Sequence, residues 1–319
     1  MKILHITNNY PTERFPIFGI FVKEQIDSLN KLDIKNEVLF INGREKGKLE
    51  YIKSIWFIRK KTKENYYDLI HCHHVLSALF LILSGGNRNN KVVVSFQNDP
   101  TNEFGKRLFS FIKRKTDGRI FKNNSELIND KYSFYLPNGV NMSFFNSLNK
   151  EEAKKTLKFD LNKIFILFVS SNTLRAQKRN DKFKEILKIL KKKYNYNNIT
   201  EIQLINKKRE EIPFFFKAVD LHLLTSDFEG SPNSVKESMA CETPVVSTNV
   251  GNVMELLENV NGSYVSEENS PEDLAKLVNL VLKKGKVQQN SRQELIRLNL
   301  DIDSVAIKLK SIYKIIIKL

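Results

Sequence analysis

Cysteine is nearly absent. Cys72 and Cys241 are the only two in 319 residues, which excludes a disulfide framework or a structural zinc site, and both read as small buried hydrophobes. Long apolar runs are also missing. No stretch approaches the roughly 20 apolar residues that span a bilayer, so an integral membrane protein is excluded. The longest run, Val75 to Leu83, is interrupted by Ser77 and ends at Gly85 and Gly86, which reads as a buried helix. The opening MKILHITNNYP turns polar by Thr7, too soon for the apolar core of a signal peptide, and a cytoplasmic location is expected. Acidic residues are few beside basic ones. The 36 Asp and Glu against 52 Lys and Arg leave a formal charge of +16, which would attract nucleic acid, anionic lipid or a phosphorylated substrate without choosing among them.

What is present fits a globular chain. The hydrophobic fraction of 41% and charged fraction of 28% are ordinary, and the length allows two domains with a core each. Short apolar runs alternate with longer helical patterns from end to end, the signature of βαβ units, so the fold class is α/β with parallel sheets. The first series of strands is expected at 2–6, 37–41, 68–71, 91–96 and 118–121. A second series follows at 163–169, 200–205, 220–224 and 244–247. Pro137, Asn138 and Gly139 make a turn between the series, and the polar stretch after Phe145 reads as a linker. The expected domains are 1–148 and 149–302. The tail 303–319 has Val305, Leu309, Ile312, Ile316 and Leu319 at helical spacing, so it would dock back as a helix.

The most informative run is residues 218–258. DLHLL reads as a strand and Thr225 to Gly230 as a polar turn. Ser231 reads as the N-cap of a helix with Pro232 in its first position, and Thr243-Pro244 ends that helix before the strand PVVS. Free backbone N–H groups at this start, around Asn233, and the Ser234 hydroxyl would suit a phosphate. Ser234, Glu237 and Cys241 share one helical face. Glu237, one turn deeper, could accept two ribose hydroxyls, and Glu229 could accept sugar hydroxyls. The plain alternative makes both glutamates solvated surface charges.

The run DFEGSPNSVKESMACETPVVSTNVGNVMELL resembles the signature of glycosyltransferase family 4, with Glu229 and Glu237 at the ends of its spaced glutamate pair. The resemblance extends to PIFGIFVKEQI at 16–26, DLIHCH at 68–73, SFQND at 95–99 and LPNGVN at 136–141. It implies a GT-B fold, two Rossmann-like domains facing each other across a cleft, with the donor held by the second and the acceptor by the first. It implies that Glu237 meets the ribose, Glu229 the donor sugar, and Gly230, Ser231 and Pro232 that sugar through their backbone. Ser234 would meet the diphosphate, Lys178 and Arg175 would hold it as it leaves, and Gly19 would let the backbone approach it. Ser171 and Asn172 stand where the family has a Gly-Arg pair. Gln97 stands where many relatives have a histidine, and His71, His73 and Asp99 complete the acceptor side, the histidines being equally suited to a core.

The same resemblance implies a retaining transfer from a UDP- or GDP-sugar to a glycan or lipid-linked acceptor, with no cofactor and no metal, in surface polysaccharide or glycolipid synthesis. Cations and a helix start would stabilise the departing diphosphate in place of a metal. The only Asp-x-Asp, Asp301-Ile-Asp303, reads as the cap region of the last helix. Basic and apolar residues interleave at 48–63 and 106–115, which suits either an anionic membrane surface, with peripheral attachment at its inner face, or ordinary helices packed on a sheet. Nucleic acid is not expected. A nucleotide-sugar epimerase and a catalytically silent nucleotide-sugar binder are the competing readings.

Overall fold

The computed structural model describes residues 1–145, 149–170, 175–205, 207–285 and 287–319. Contacts divide the chain into two units, Met1–Gly139 with Ile302–Leu319, and Val140–Asp301. The chain enters the second unit at Val140 because Val140 and Phe145 are buried in that unit's core. Residue 148, where the sequence sets the boundary, lies outside the described residues.

The first unit holds six parallel strands: β1 (Lys2–Thr7), β2 (Lys35–Phe40), β3 (Leu69–Cys72), β4 (Val92–Phe96), β5 (Gly118–Phe121) and β6 (Ser133–Tyr135). Their order is β2-β1-β3-β4-β5-β6. The second unit holds five: β7 (Ile164–Phe168), β8 (Ile199–Gln203), β9 (Leu221–Leu224), β10 (Val245–Ser247) and β11 (Tyr264–Val265), in the order β11-β10-β9-β7-β8. The strands β6 and β11 add to the series expected from the sequence. With three and two residues, they are too short to show an alternation.

Strand residues point alternately to the two faces, and each face is buried under helices. In the first unit Leu4, Ile6, Ile70, Cys72, Val92 and Val94 form one core. Ile3, Leu69, Val93 and Ile120 form the other, with Val305, Leu309, Ile312, Tyr313 and Ile316 of the terminal helix Ile302–Ile317. The tail therefore docks on the first unit, although Leu319 stays exposed. Asp303 lies in the first turn of that helix and pairs with Lys31 at 3.1 Å, where an acidic side chain meets the positive helix end. The run after His74 is the helix Val75–Ser84, closed by Gly85 at φ +76, the left-handed stop that glycine allows. Both cysteines are buried.

Candidate functional site

Both sheets run second strand, first, third, fourth, so the winding direction reverses between β1 and β3 and between β7 and β9. In an open parallel sheet the space beyond the carboxyl ends at such a reversal takes the ligand. In the second unit, the two segments leaving β7 and β9 carry Lys178 and Glu229.

Those two side chains meet. The Lys178 ammonium donates to Glu229 Oε1 at 2.6 Å, both largely buried, and Ser226 Oγ donates to the same oxygen at 2.8 Å. The 3-10 turn Ala176–Lys178 is tied to the β9 side by Thr225 Oγ1, which donates to the Lys178 carbonyl at 2.9 Å, and by the Asp227 N–H, which donates to the Gln177 carbonyl at 2.9 Å. Arg175 is exposed and donates to Gln177 Oε1 at 3.3 Å, so it is not drawn into this group. Ser171 and Asn172 lie outside the described residues.

The helix Asn233–Ala240 begins one residue later than the sequence suggests. Pro232, in an extended conformation at φ −67 and ψ 116, is the N-cap and makes no side-chain cap bond. Proline's fixed φ suits this place, and it lacks the N–H that would otherwise need a partner. Ser231 does not cap; its Oγ accepts from the ammonium of Lys236 at 2.9 Å. An ammonium only donates, so the Ser231 proton stays free to point elsewhere. Lys236 is fully buried. Gly251, at φ +57, packs against the backbone of Glu229 and Gly230 so closely that a Cβ there would collide with it, and the Asn252 N–H donates to the Gly230 carbonyl at 3.2 Å. The turn carrying Glu229 and Gly230 is thus held from behind.

Two polar atoms at the helix start are left over. Ser234 Oγ and Asn233 Oδ1 are buried and have no hydrogen-bond partner among the described residues. An unpaired buried polar atom costs about 1–3 kcal/mol, and of these two the Ser234 hydroxyl, unlike the Asn233 amide oxygen, could donate to an anion at such a helix start. One turn on, Glu237 Oε1 accepts from Arg209 Nη1 at 2.7 Å, both side chains 13% exposed. The Arg209 guanidinium lies over the rings of Phe145 and Phe144, at 4.8 and 5.2 Å. Neither Arg209 nor Lys236 was singled out from the sequence. Lys236 stood one residue before Glu237 and was legible as a charge on a buried helix; Arg209 had no motif to flag it.

In the first unit, Gly19 precedes the helix Ile20–Asn30 at φ +70, and a Cβ there would collide with the backbone of Asn9 and Tyr10. The loop leaving β1 is therefore packed on a residue that must be glycine. His71 and His73 belong to a buried cluster with His5, its register partner across β1 and β3. The Asn36 amide donates to Asn30 Oδ1 and to the Ile34 carbonyl, which leaves its Oδ1 to accept from His5 Nε2 at 2.8 Å. Neutral His5 then has a bare Nδ1, which accepts from His73 Nε2 at 2.9 Å. His71 bonds Tyr313 at 2.6 Å and Ser95 at 2.8 Å, so both its nitrogens serve the core. The three ring sets fall within 4.8 Å of one another, a spacing that would also admit a cation. The ammonium of Lys122, buried nearby and pushed down to about 7 by desolvation, opposes one. Burial pushes His5 down to about 4 and holds His71 and His73 well below the usual range.

Gln97 Oε1 accepts from Asn138 Nδ2 at 3.1 Å. Asp99 is the N-cap of the helix Pro100–Lys115, its Oδ1 accepting from the Thr101 N–H at 2.7 Å and its hydroxyl at 2.6 Å. All four acceptor-side candidates thus have hydrogen-bond partners within the first unit, and His71 and His73 are buried there.

Residues 192–297, within the second unit, match the family model for group 1 glycosyl transferases. An uncharacterised glycosyltransferase of Methanocaldococcus jannaschii is 32% identical over 91 residues, which are 27% of this chain and 26% of that protein. Sucrose-phosphate synthase of Thermosynechococcus elongatus superposes with a TM-score of 0.79 at 14% identity over 98% of both chains. The Anabaena protein HepE in complex with UDP and glucose superposes with a TM-score of 0.71, also at 14% identity over 98% of both. The fold is GT-B, two Rossmann-like α/β units.

Proposed function

We propose that this chain is a retaining glycosyltransferase that moves a sugar from a UDP- or GDP-sugar to a glycan or lipid-linked acceptor, without a metal. The second unit would hold the donor and the first the acceptor. The observation that carries this reading is the start of the helix Asn233–Ala240, where the buried Ser234 Oγ lacks a partner among the described residues between two glutamates, at the reversal of strand order. In the proposed complex the diphosphate takes the N–H groups and Ser234, Glu237 takes the ribose, and Glu229 with the backbone of Gly230, Ser231 and Pro232 takes the sugar. Lys178 turns from Glu229 to the diphosphate and offsets the charge that develops on it as the sugar leaves. Gln97, only partly buried, is the acceptor-side contact. The UDP in the HepE complex supports a nucleotide-sugar donor.

The work would belong to surface polysaccharide or glycolipid synthesis, with the protein peripheral at the inner face of the membrane. A catalytically silent nucleotide-sugar binder is the second reading, favoured by Arg175, whose guanidinium bonds Gln177 and does not join Lys178 and Glu229.

Thermal shift with UDP, GDP, ADP, CMP and their sugar conjugates, on the wild type and Glu237→Ala, tests the site. A donor at 100 times its dissociation constant adds about 2.7 kcal/mol. One nucleotide family should give that shift, and the mutant, measured against its own ligand-free melt, should bind the donor about 1.5–3 kcal/mol more weakly for each charged hydrogen bond removed, so that most of the shift is lost. Equal shifts in both proteins would sink the ribose assignment. Binding without turnover would favour the silent binder.

A further inference from the structure

The helix Leu49–Glu64 turns Ser54 and Ile58 into the first unit and leaves Leu49, Ile52, Trp56 and Phe57 outside, at 68, 64, 59 and 49% exposure. Residues 49, 52 and 56 lie on one row of the helix, and Phe57 widens it. A row of large apolar side chains left in water is unfavourable and marks a contact surface. Cations share this face. Lys53, Lys60 and Lys63 fall on the same row by helical spacing and Arg59 lies beside it, all exposed, with Arg44, Lys46 and Lys48 just before the helix, against Glu45, Glu50 and Glu64. Lys60 Nζ sits 5.4 Å from the centre of the Trp56 ring. An opening of about 430 Å³ lies between this helix and the edge strand β2, its wall apolar at Val38, Phe40 and Phe57 and charged in both signs, by Lys60 and Lys61 and by Glu50 and Glu64.

The second stretch of interleaved basic and apolar residues behaves otherwise. In the helix Pro100–Lys115, Phe109 and Ile112 are buried in the core, so that stretch is an ordinary packed helix. The Leu49–Glu64 helix also starts beyond the carboxyl end of β2, the edge of the sheet at which ligands bind in such folds.

We infer that the outer face of the Leu49–Glu64 helix docks on an anionic phospholipid bilayer, with Leu49, Ile52, Trp56 and Phe57 inserted among the acyl chains and the surrounding lysines and arginines on the lipid phosphates. Aliphatic and aromatic side chains on one side and cations beside them are what such a surface binds. Amphipathic Trp56 suits the headgroup level. The docking would bring the carboxyl edge of the first unit to the bilayer, where a lipid-linked acceptor is presented. That last link rests on the function proposed above; the docking face does not.

Trp56 is the only tryptophan in the chain, so its emission reports this face alone. Vesicles of phosphatidylcholine with phosphatidylglycerol should co-sediment the full chain and shift Trp56 emission to the blue, and pure phosphatidylcholine should do neither. Ile52→Asp, at an exposed position, should abolish both effects while the melting temperature stays put. Each of Lys53→Gln, Lys60→Gln and Lys63→Gln should weaken partitioning about fivefold, which corresponds to roughly 1 kcal/mol per cation. Co-sedimentation without a blue shift, or unchanged in Ile52→Asp, would overturn the inference, as would no binding at all. Concentration-dependent self-association lost in Ile52→Asp, with no lipid binding, would assign the face to a second copy instead. The donor-dependent thermal shift, run on the same samples, separates a failure of this docking from a failure of the proposed activity.

Discussion

Unpaired buried polar atoms fall into two kinds in this protein, and the difference lies in what each could meet. Ser234 Oγ sits at a helix start where an anion is favoured. His222 lies inside the second unit on β9, fully buried, with neither ring nitrogen bonded among the described residues and the Phe216 ring roughly perpendicular to it. Burial, with the nearby Lys178 charge, pushes it down to about 3, so it stays neutral. A hydroxyl or imidazole buried without partners costs about 1–3 kcal/mol. Removing either should therefore raise the stability of the ligand-free protein, and only one removal should harm binding. Ser234→Ala is expected to gain up to about 1 kcal/mol in a urea titration and to weaken donor binding about fivefold, the loss of one hydrogen bond of roughly 1 kcal/mol. His222→Leu is expected to gain about 1–2 kcal/mol and leave donor affinity alone. A stabilised Ser234→Ala that binds the donor as well as wild type would show that the hydroxyl has no ligand role.

At the scale of elements, the join between β1 and the helix Ile20–Asn30 depends on one residue. Gly19 is left-handed, makes the N-terminal boundary of a helix with no side-chain cap, and touches the backbone of Asn9 and Tyr10. Gly19→Ala combines a left-handed cost of about 1–2 kcal/mol with a collision that only backbone movement relieves. A loss of at least about 2 kcal/mol in denaturant titration is expected; a loss under 0.5 kcal/mol, roughly the ordinary surface range, would show that the loop adjusts freely. The same scale decides what the sequence can show. Runs such as KVVVSF and KIFILF carry buried strands in their composition alone, and Pro232 and Pro244 bracket their helix. Short strands such as Ser133–Tyr135 carry no period to read. Asp99 and His71 were legible as polar residues just after and at the end of a strand, but whether such a residue faces a ligand or holds a helix depends on neighbours distant in sequence, here Tyr313 for His71. The same holds for Arg209, which meets Glu237 across 28 positions, while Lys178 and Glu229, 51 apart, meet because strand order puts β7 beside β9.

Over the whole molecule, histidine is distributed unevenly, and acid should act on one unit first. Of five histidines, His5, His71, His73 and His74 lie in the first unit and His222 in the second. All are pushed down by burial, His74 against an opposing pull from Glu103. In the unfolded chain they titrate near 6.5. Above that pH neither state binds the proton, and their contribution to stability is complete. As pH falls below 6.5, the unfolded chain takes up protons that the folded cluster refuses, and each histidine removes up to about 1.4 kcal/mol per pH unit until its folded value is reached, about 4 for His5. Burial first, and then the neighbouring histidines and the Lys122 charge, disfavour a proton on His71 and His73. The paired carboxylate Glu37, drawn down to about 2 by Lys61 and Lys2, adds its loss only at lower pH, below about 4.5. The first unit, with three neutral imidazoles in contact, should lose stability several times faster between pH 6.5 and 4 than the second, which has one. Hydrogen exchange followed by mass spectrometry across that range should show protection failing first in 1–139 and 302–319, the terminal helix leaving with the sheet it covers through Tyr313 and His71. Loss of protection in 140–301 at the same pH would mean that the two units unfold together, and loss there first would contradict the histidine argument outright.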